Sequence, residues 1–218
     1  MTRIRFQTVI FDCDSTLSAI EGIEELAREH RQQVADLTDL AMRGLLPLEE
    51  VYGRRLELLR PSRAEVARIG TLYIERLVPG AAEAIQELAA AGVTVQVVSG
   101  GLLPAVAAVA SHLGIGPGRV AAVDIRFTPD GAYAGFEQES PLARSGGKRT
   151  WVERNLDRLP RPILLIGDGA TDLEARPAVD CFAAFTGVVR REEIARAADV
   201  VLEGPSLTGV LWIVGLGA

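Results

Sequence analysis

Short apolar runs alternate along the chain with longer segments in which apolar residues recur every three or four positions. The apolar runs lie at residues 6–11, 93–99, 162–168, 181–185 and 198–202. Successive positions in each run are apolar, which predicts strands buried on both faces, as in a parallel sheet. The intervening segments have the period of amphipathic helices, for example at 81–92, 102–114 and 147–156. Together these patterns predict a doubly wound, Rossmann-like α/β fold.

Two segments depart from this alternation. Residues 18–79 contain helix-period stretches and no convincing strand, which predicts a helical cap inserted directly after the first strand. We therefore expect an α/β core domain of residues 1–17 and 80–218 and a cap domain of residues 18–79. In the segment 119–137, β-forming residues flank the Asp-Gly pair at 130–131, so a small β-hairpin is expected there.

Composition excludes several classes of protein. The 218 residues are 48% hydrophobic, which is too apolar for a disordered chain. The 23 basic and 29 acidic residues give a formal net charge of −6. Because binding to polyanions needs clustered Lys and Arg, we do not expect nucleic acid as a partner.

The location of the protein is inferred from its cysteines and its apolar runs. Two cysteines, Cys13 and Cys181, cannot form a disulfide framework, which indicates a reducing compartment. The N-terminus lacks the long apolar run of a signal peptide, and no apolar run has the length of a membrane span. We therefore expect a cytoplasmic protein that has no membrane partner.

Candidate catalytic residues cluster where the predicted strands end. Three strand ends and one helix start contribute Asp12 and Asp14, then Ser99, Gly100 and Gly101, then Asp168 and Asp172, and finally Lys148. Because the carboxyl ends of the strands border the crevice of an open parallel sheet, these groups are expected to converge on one point.

This combination of groups is suited to phosphoryl transfer. Several carboxylates at one point would repel one another without a cation, and hard carboxylate oxygens near a phosphate are the setting for Mg²⁺. One carboxylate can attack phosphorus to give an aspartyl-phosphate, while a second protonates the leaving oxygen and later deprotonates water. Ser99, glycine amides and Lys148 can bind the phosphate oxygens. The residues thus predict hydrolysis of a small phosphomonoester with the help of Mg²⁺.

The motifs DCDST (12–16), SGG (99–101), SGGK (145–148) and GDGATD (167–172) resemble those of the phosphoserine phosphatase family within the haloacid dehalogenase-like (HAD) superfamily. Further similar segments, among them EGIEELA (21–27), extend the resemblance over nearly the whole chain, cap included. The resemblance implies conversion of O-phospho-L-serine to L-serine and phosphate through an aspartyl-phosphate, the last step of serine biosynthesis.

The resemblance also implies a role for each residue of the phosphoryl-transfer centre. Asp12 would be the nucleophile, and Asp14 the general acid/base. Asp12, the backbone carbonyl of Asp14, and Asp168 would hold Mg²⁺, with Asp172 binding the waters of the metal. The phosphoryl group would be bound by Ser99 and Lys148.

A second set of residues is implied to contact the serine part of the substrate. Glu21 would meet the ammonium group and Arg55 the carboxylate, and an acid and a guanidinium are the groups that a zwitterion requires. The remaining implied contacts are Met42 and Leu48 in the pocket wall, together with Gly100, Gly101 and Thr171.

Three residues depart from the family pattern: Leu48 replaces a usual aromatic, Leu102 a frequent Phe, and Arg43 a small or uncharged residue. They affect the expected pocket wall, so a phosphatase for another small phosphomonoester, such as phosphothreonine or a phosphoethanolamine-like compound, stays open. Arg55 separates these substrates, because one without a carboxylate has no use for it.

A receiver-type phosphoacceptor module is the other alternative, although Asp14 and the helical insertion would have no purpose in it. Homodimer formation also stays open.

Overall fold

A parallel sheet of six strands lies at the centre of the computed structural model, which describes residues 4–27, 30–42 and 47–217, with residues 38–42 and 48 described by their backbone alone. Numbered along the chain, its strands are β1 (Thr8–Phe11), β2 (Thr94–Leu102), β3 (Val120–Val123), β6 (Ile163–Gly167), β7 (Cys181–Phe185) and β8 (Val200–Leu202). Their order is β3-β2-β1-β6-β7-β8, and every neighbouring pair is parallel. The predicted doubly wound α/β architecture is confirmed.

Helices flank this sheet. They are α5 (Ala81–Ala90), α6 (Leu103–His112), α7 (Gly147–Arg154), α8 (Ala170–Ala175), α9 (Glu192–Ala197) and α10 (Val210–Val214). β1 is buried along its whole length because helices and neighbouring strands cover it on all sides. Among the described residues, no helix has the length and apolar character needed to cross a lipid bilayer.

Four helices lie between β1 and α5: α1 (Gly22–Ala27), α2 (Arg31–Met42), α3 (Leu48–Leu59) and α4 (Arg63–Glu75). α4 starts with a capping box, in which the Ser62 hydroxyl accepts from the Glu65 N–H and the Glu65 carboxylate accepts from the Ser62 N–H. α4 packs closely along α6, since a Cβ at Gly70 would lie 2.9 Å from the Cβ of Ala108. The position of α4 is therefore fixed by its packing against α6, one of the helices that flank the sheet.

The small hairpin consists of β4 (Ile125–Phe127) and β5 (Tyr133–Phe136), as its Asp-Gly turn predicts. It supports α3 and α4: the Tyr52 and Phe136 rings are 5.4 Å apart, and the Arg63 guanidinium lies 5.4 Å from the centre of the Phe127 ring. The structure adds one strand that the apolar pattern does not predict. This strand, β3, precedes the hairpin and pairs with β2 at the edge of the main sheet. β3 is only four residues long and largely half-buried, so its apolar signal is weak.

Candidate active site

Asp12 is the first residue beyond β1, and its carboxyl group is buried at the carboxyl end of the sheet, with the residue only 7% exposed. Its Oδ1 accepts the N–H of Cys13 at 2.7 Å and lies 2.8 Å from the Lys148 Nζ. These two contacts restrain one carboxylate oxygen. The intervening Cys13 is fully buried, and burial raises the pKa of its thiol well above the usual range. The reactive group at this strand end is therefore a carboxylate rather than a thiolate.

Lys148 joins two carboxylates from different elements, Asp12 directly after β1 and Asp172 on α8. It is the second residue of α7, and its Nζ lies 2.8 Å from Asp12 Oδ1 and 2.6 Å from Asp172 Oδ1. Burial by itself lowers the pKa of Lys148, but attraction to Asp12 and Asp172 outweighs burial and holds the pKa above its usual range. A permanent positive charge thus lies between the two acids.

Asp172 approaches the backbone of the β6–α8 turn closely. Its Oδ2 accepts the Gly169 N–H at 3.1 Å, and a Cβ at Gly167 would lie 2.1 Å from the Asp172 Cγ. Any side chain at position 167 would displace this carboxyl group, which explains the need for glycine there. Burial and repulsion by Asp12 raise the pKa of Asp172 to about 7, against the opposing attraction of Lys148.

Three buried carboxyl groups converge here, and each of Asp12, Asp168 and Asp172 offers one oxygen within 4.8 Å of the others. An all-oxygen set of anionic donors suits a hard divalent cation such as Mg²⁺ and is unfavourable for a soft metal. The donor chemistry therefore fits the implied metal. Thr16 orients one member of the set, because its hydroxyl donates to Asp168 Oδ1 at 3.3 Å.

The two oxygens of Asp14 have different surroundings. Oδ1 accepts the Tyr73 hydroxyl at 2.6 Å and the Gly22 N–H at 2.7 Å. Oδ2 lies next to Gly101, on the side that also carries Ser99, since a Cβ built at Gly101 would be 3.2 Å from Asp14 Oδ2 and 3.2 Å from Ser99 Oγ. Burial, followed by repulsion from nearby carboxylates, raises the pKa of Asp14 to about 7. A carboxyl group with such a pKa can both give and take a proton near neutral pH.

Ser99, Gly100 and Gly101 form the irregular end of β2, where its pairing with β3 changes register. Ser99 is fully buried, and its Oγ accepts the Gly101 N–H at 3.0 Å. The Gly100 carbonyl accepts the Tyr52 hydroxyl at 2.9 Å, which links α3 to this strand end. The hydroxyl and amides of this segment are the type of donors that bind phosphate oxygens.

The residues implied to contact the serine part lie toward the helices before α5. Glu21 is half-buried and accepts the Ser15 hydroxyl at 2.6 Å. Arg55 is half-buried on α3; burial lowers the pKa of its guanidinium, while the negative charges of Glu24 and Glu21 oppose that effect. The guanidinium is thus within electrostatic reach of Glu21.

Two further predicted contacts, Met42 and Leu48, have side chains outside the described part of the chain, and Arg43 lies outside it entirely. Thr171 is half-buried as the second residue of α8. Its hydroxyl would be 3.9 Å from a Cβ at Gly169, so it lies next to the turn that carries Asp168.

Arg191 is a charged residue of this site that the sequence patterns do not mark. It forms an ion pair with Asp168 Oδ2, donates to the Asp168 carbonyl at 3.4 Å, and lies 3.8 Å from Glu21 Oε1. It therefore connects a carboxylate of the candidate metal site with the carboxylate implied to bind the substrate ammonium. Only the structure shows that Arg191 directly precedes α9, where a cation is unfavourable for the helix dipole.

The chain is similar to several known proteins in sequence and in fold. The family model of the haloacid dehalogenase-like hydrolases matches residues 9–175. Phosphoserine phosphatase of Homo sapiens is 39% identical over 189 residues, which are 85% of this chain and 84% of the human protein. A solved structure described as a substrate-bound phosphoserine phosphatase complex is 26% identical, with a TM-score of 0.78, and covers 97% of this chain and 100% of that one. A phospho-aspartyl intermediate analogue of phosphoserine phosphatase is also 26% identical, with a TM-score of 0.77, and covers 96% of this chain and 99% of that one.

Proposed function

Because the chain belongs to the haloacid dehalogenase-like hydrolase family, we propose that it hydrolyses O-phospho-L-serine to L-serine and phosphate through an aspartyl-phosphate. The main support is the convergence of Asp12, Asp14, Ser99 and Lys148 at one strand-end crevice, where Asp12, Ser99 and Lys148 are buried. The 39% identity to a phosphoserine phosphatase, which extends over 85% of the chain, supports the substrate.

In the first half-reaction, the free carboxylate oxygen of Asp12 attacks phosphorus. Lys148 holds the other oxygen at 2.8 Å and so orients the nucleophile. As the new O–P bond forms, the bond from phosphorus to the serine oxygen breaks, and its electron pair stays on that oxygen. Asp14 gives this oxygen a proton, so serine leaves as a neutral alcohol. Ser99 and the neighbouring amides donate to the phosphoryl oxygens.

In the second half-reaction, water releases the phosphate from Asp12. Asp14, now ionised, takes a proton from the attacking water, so the same carboxyl group acts first as acid and then as base. The new bond joins the water oxygen to phosphorus, and the bond between phosphorus and the Asp12 oxygen breaks. The Asp12 carboxylate is thereby restored for the next cycle.

Asp12, Asp168 and the backbone carbonyl of Asp14 would hold Mg²⁺, and Asp172 would bind its waters. The cation supplies positive charge that neutralises the clustered carboxylates and the phosphoryl oxygens. Without this charge, a phosphomonoester dianion would meet several carboxylates, and among the described residues only Lys148 and Arg191 would supply positive charge beside them.

We also propose the division into a core of residues 1–17 and 80–218 and a cap of residues 18–79. The cap supplies Glu21, which directly precedes α1, and Arg55 on α3, and we assign them to the ammonium and the carboxylate of the substrate. Met42, Leu48 and Thr171 are proposed to complete the pocket, with Gly100 and Gly101 bordering the phosphate.

A cytoplasmic location is proposed because both cysteines are free thiols.

Removal of divalent cations is expected to abolish phosphate release. Dialysis against EDTA should reduce turnover of phosphoserine by at least about 100-fold, because the carboxylate cluster then repels the substrate. Addition of Mg²⁺ should restore turnover, and it should raise the thermal unfolding midpoint as the cation binds the folded state. Full activity in excess EDTA would contradict a role for a metal.

Arg55 is expected to set the preference for a substrate with a carboxylate. The Arg55→Met variant should raise the KM for phosphoserine by about 10- to 100-fold, because one charge-assisted contact is lost. Its kcat/KM for phosphoethanolamine, which has no carboxylate, should change by less than about twofold.

Arg54→Met is the matched control for this variant, because Arg54 is the preceding residue on α3, is 53% exposed and pairs with Glu50. It should leave the phosphoserine kinetics unchanged. If the unaltered protein hydrolyses phosphoethanolamine faster than phosphoserine, the substrate assignment is wrong and a phosphatase for amino-alcohol phosphates takes its place.

A further inference from the structure

Tyr73 is a buried tyrosine whose hydroxyl meets the carboxyl group of Asp14. The hydroxyl and the Gly22 N–H donate to the same oxygen, Oδ1, at 2.6 and 2.7 Å. The other oxygen, Oδ2, lies on the side of Ser99 and Gly101. Two fixed donors on Oδ1 therefore leave one defined oxygen of Asp14 facing the phosphoryl-binding groups.

Close packing fixes the position of this hydroxyl. Tyr73 is 1% exposed, and α4, which carries it, approaches α6 so closely at Gly70 that a Cβ there would collide with Ala108. On the opposite side, a Cβ at Gly22 would lie only 2.1 Å from the Tyr73 hydroxyl oxygen. Glycine at position 22 thus makes room for the hydroxyl and also supplies the second donor to Asp14.

We propose that Tyr73 is a positioning residue that holds the Asp14 carboxyl group with Oδ2 directed at the leaving and attacking oxygens. This role rests on the proposed function, in which Asp14 protonates the serine oxygen as its bond to phosphorus breaks and later accepts a proton from water. Without the Tyr73 hydroxyl, only one of the two donors, the Gly22 N–H, still restrains Oδ1, and the carboxyl group rotates more easily about its Cβ–Cγ bond. The proton is then correctly placed in only a fraction of the molecules.

The test compares two phosphoryl donors in the Tyr73→Phe variant, which keeps the ring and removes only the hydroxyl. The serine oxygen must be protonated as serine leaves. Acetate is a stable anion, so its departure from acetyl phosphate needs no acid. We expect kcat/KM for phosphoserine to fall about tenfold and that for acetyl phosphate by less than about twofold. The kcat for acetyl phosphate should still fall, because its second half-reaction needs Asp14 as base.

A double-mutant cycle gives a second measurement that requires phosphoserine alone. If Tyr73 acts through Asp14, Tyr73→Phe should reduce single-turnover phosphate release about tenfold in the unaltered protein and by less than about twofold in the Asp14→Asn background. Losses that multiply would show that Tyr73 acts independently of Asp14 and would overturn the proposed role.

Tyr133→Phe is the matched control, since Tyr133 is also buried and its ring lies on the hairpin. This variant should leave both substrates unaffected. Equal losses in kcat/KM for phosphoserine and acetyl phosphate in Tyr73→Phe, or no loss in kcat/KM for either, would refute positioning by Tyr73 while leaving the proposed function intact. Absence of phosphoserine hydrolysis by the unaltered protein would instead refute the proposed function.

Discussion

Replacement of Asp12 by Asn is expected to reduce phosphate release from phosphoserine by at least about 10⁴-fold, because an amide cannot act as the nucleophile toward phosphorus. The change preserves the size of a side chain that is 7% exposed, so the fold should persist. Lys148 keeps its 2.6 Å contact with Asp172, and this contact should maintain the local packing.

The measurement is phosphate release under single-turnover conditions, combined with mass spectrometry of acid-quenched protein. The unaltered protein should carry one phosphoryl group on the peptide that contains Asp12, and the variant should carry none. Asp157→Asn is the matched control, because it is the same substitution at a side chain that is 78% exposed. Retained turnover in Asp12→Asn with an intact fold would refute Asp12 as the nucleophile.

Replacement of Lys148 by Met is expected to impair both catalysis and stability. Lys148 is buried between Asp12 and Asp172, at 2.8 and 2.6 Å, so its loss leaves two carboxylates facing each other without the cation. Breaking a buried ion pair in this way costs about 3–5 kcal/mol of the free energy of unfolding. Loss of one preorganised donor to the phosphoryl group lowers turnover by about 10²- to 10³-fold.

Denaturant unfolding with and without Mg²⁺ measures the loss of stability, and phosphate release measures the loss of turnover. Because a divalent cation can replace part of the missing positive charge, Mg²⁺ should stabilise the Lys148→Met variant more than the unaltered protein. Arg149→Met is the matched control, since Arg149 is the next residue on α7, is 50% exposed and pairs with Glu153. Unchanged stability in Lys148→Met would contradict a structural role for the buried ion pair.

Local patterns allow much of this fold to be predicted from the sequence. The helix-period stretch at 81–92 contains α5, and the Asp-Gly turn predicts the hairpin of β4 and β5. Both signals depend on neighbouring residues: a helix repeats its apolar face every three or four positions, and a tight turn needs particular residues at adjacent positions. The edge strand β3 has no comparable local signal, because its pairing with β2 brings together residues more than twenty positions apart.

The candidate site divides in the same way. Asp12, Asp14, Asp168 and Lys148 can be inferred from the sequence because they follow apolar strands or open a helix, and the ends of parallel strands meet at one edge of a sheet. The separation of acidic residues along the chain does not say which oxygen meets which donor. The structure supplies that detail, such as the contact of Lys148 with both Asp12 and Asp172.

By itself, the sequence determined the α/β class and the inserted helices, because apolar periodicity encodes both, and its short motifs indicate the candidate phosphoryl-transfer centre. Only the tertiary structure brings Tyr73 to Asp14 from 59 residues away, Tyr52 to Gly100 from 48 residues away, and Arg191 to the carbonyl of Asp168. On helices and loops, these side chains look like ordinary packing or surface residues. The partners of Tyr73 and Tyr52 are decided by how α4 packs on α6 and α3 on the hairpin, and such long-range packing is not encoded in any local pattern.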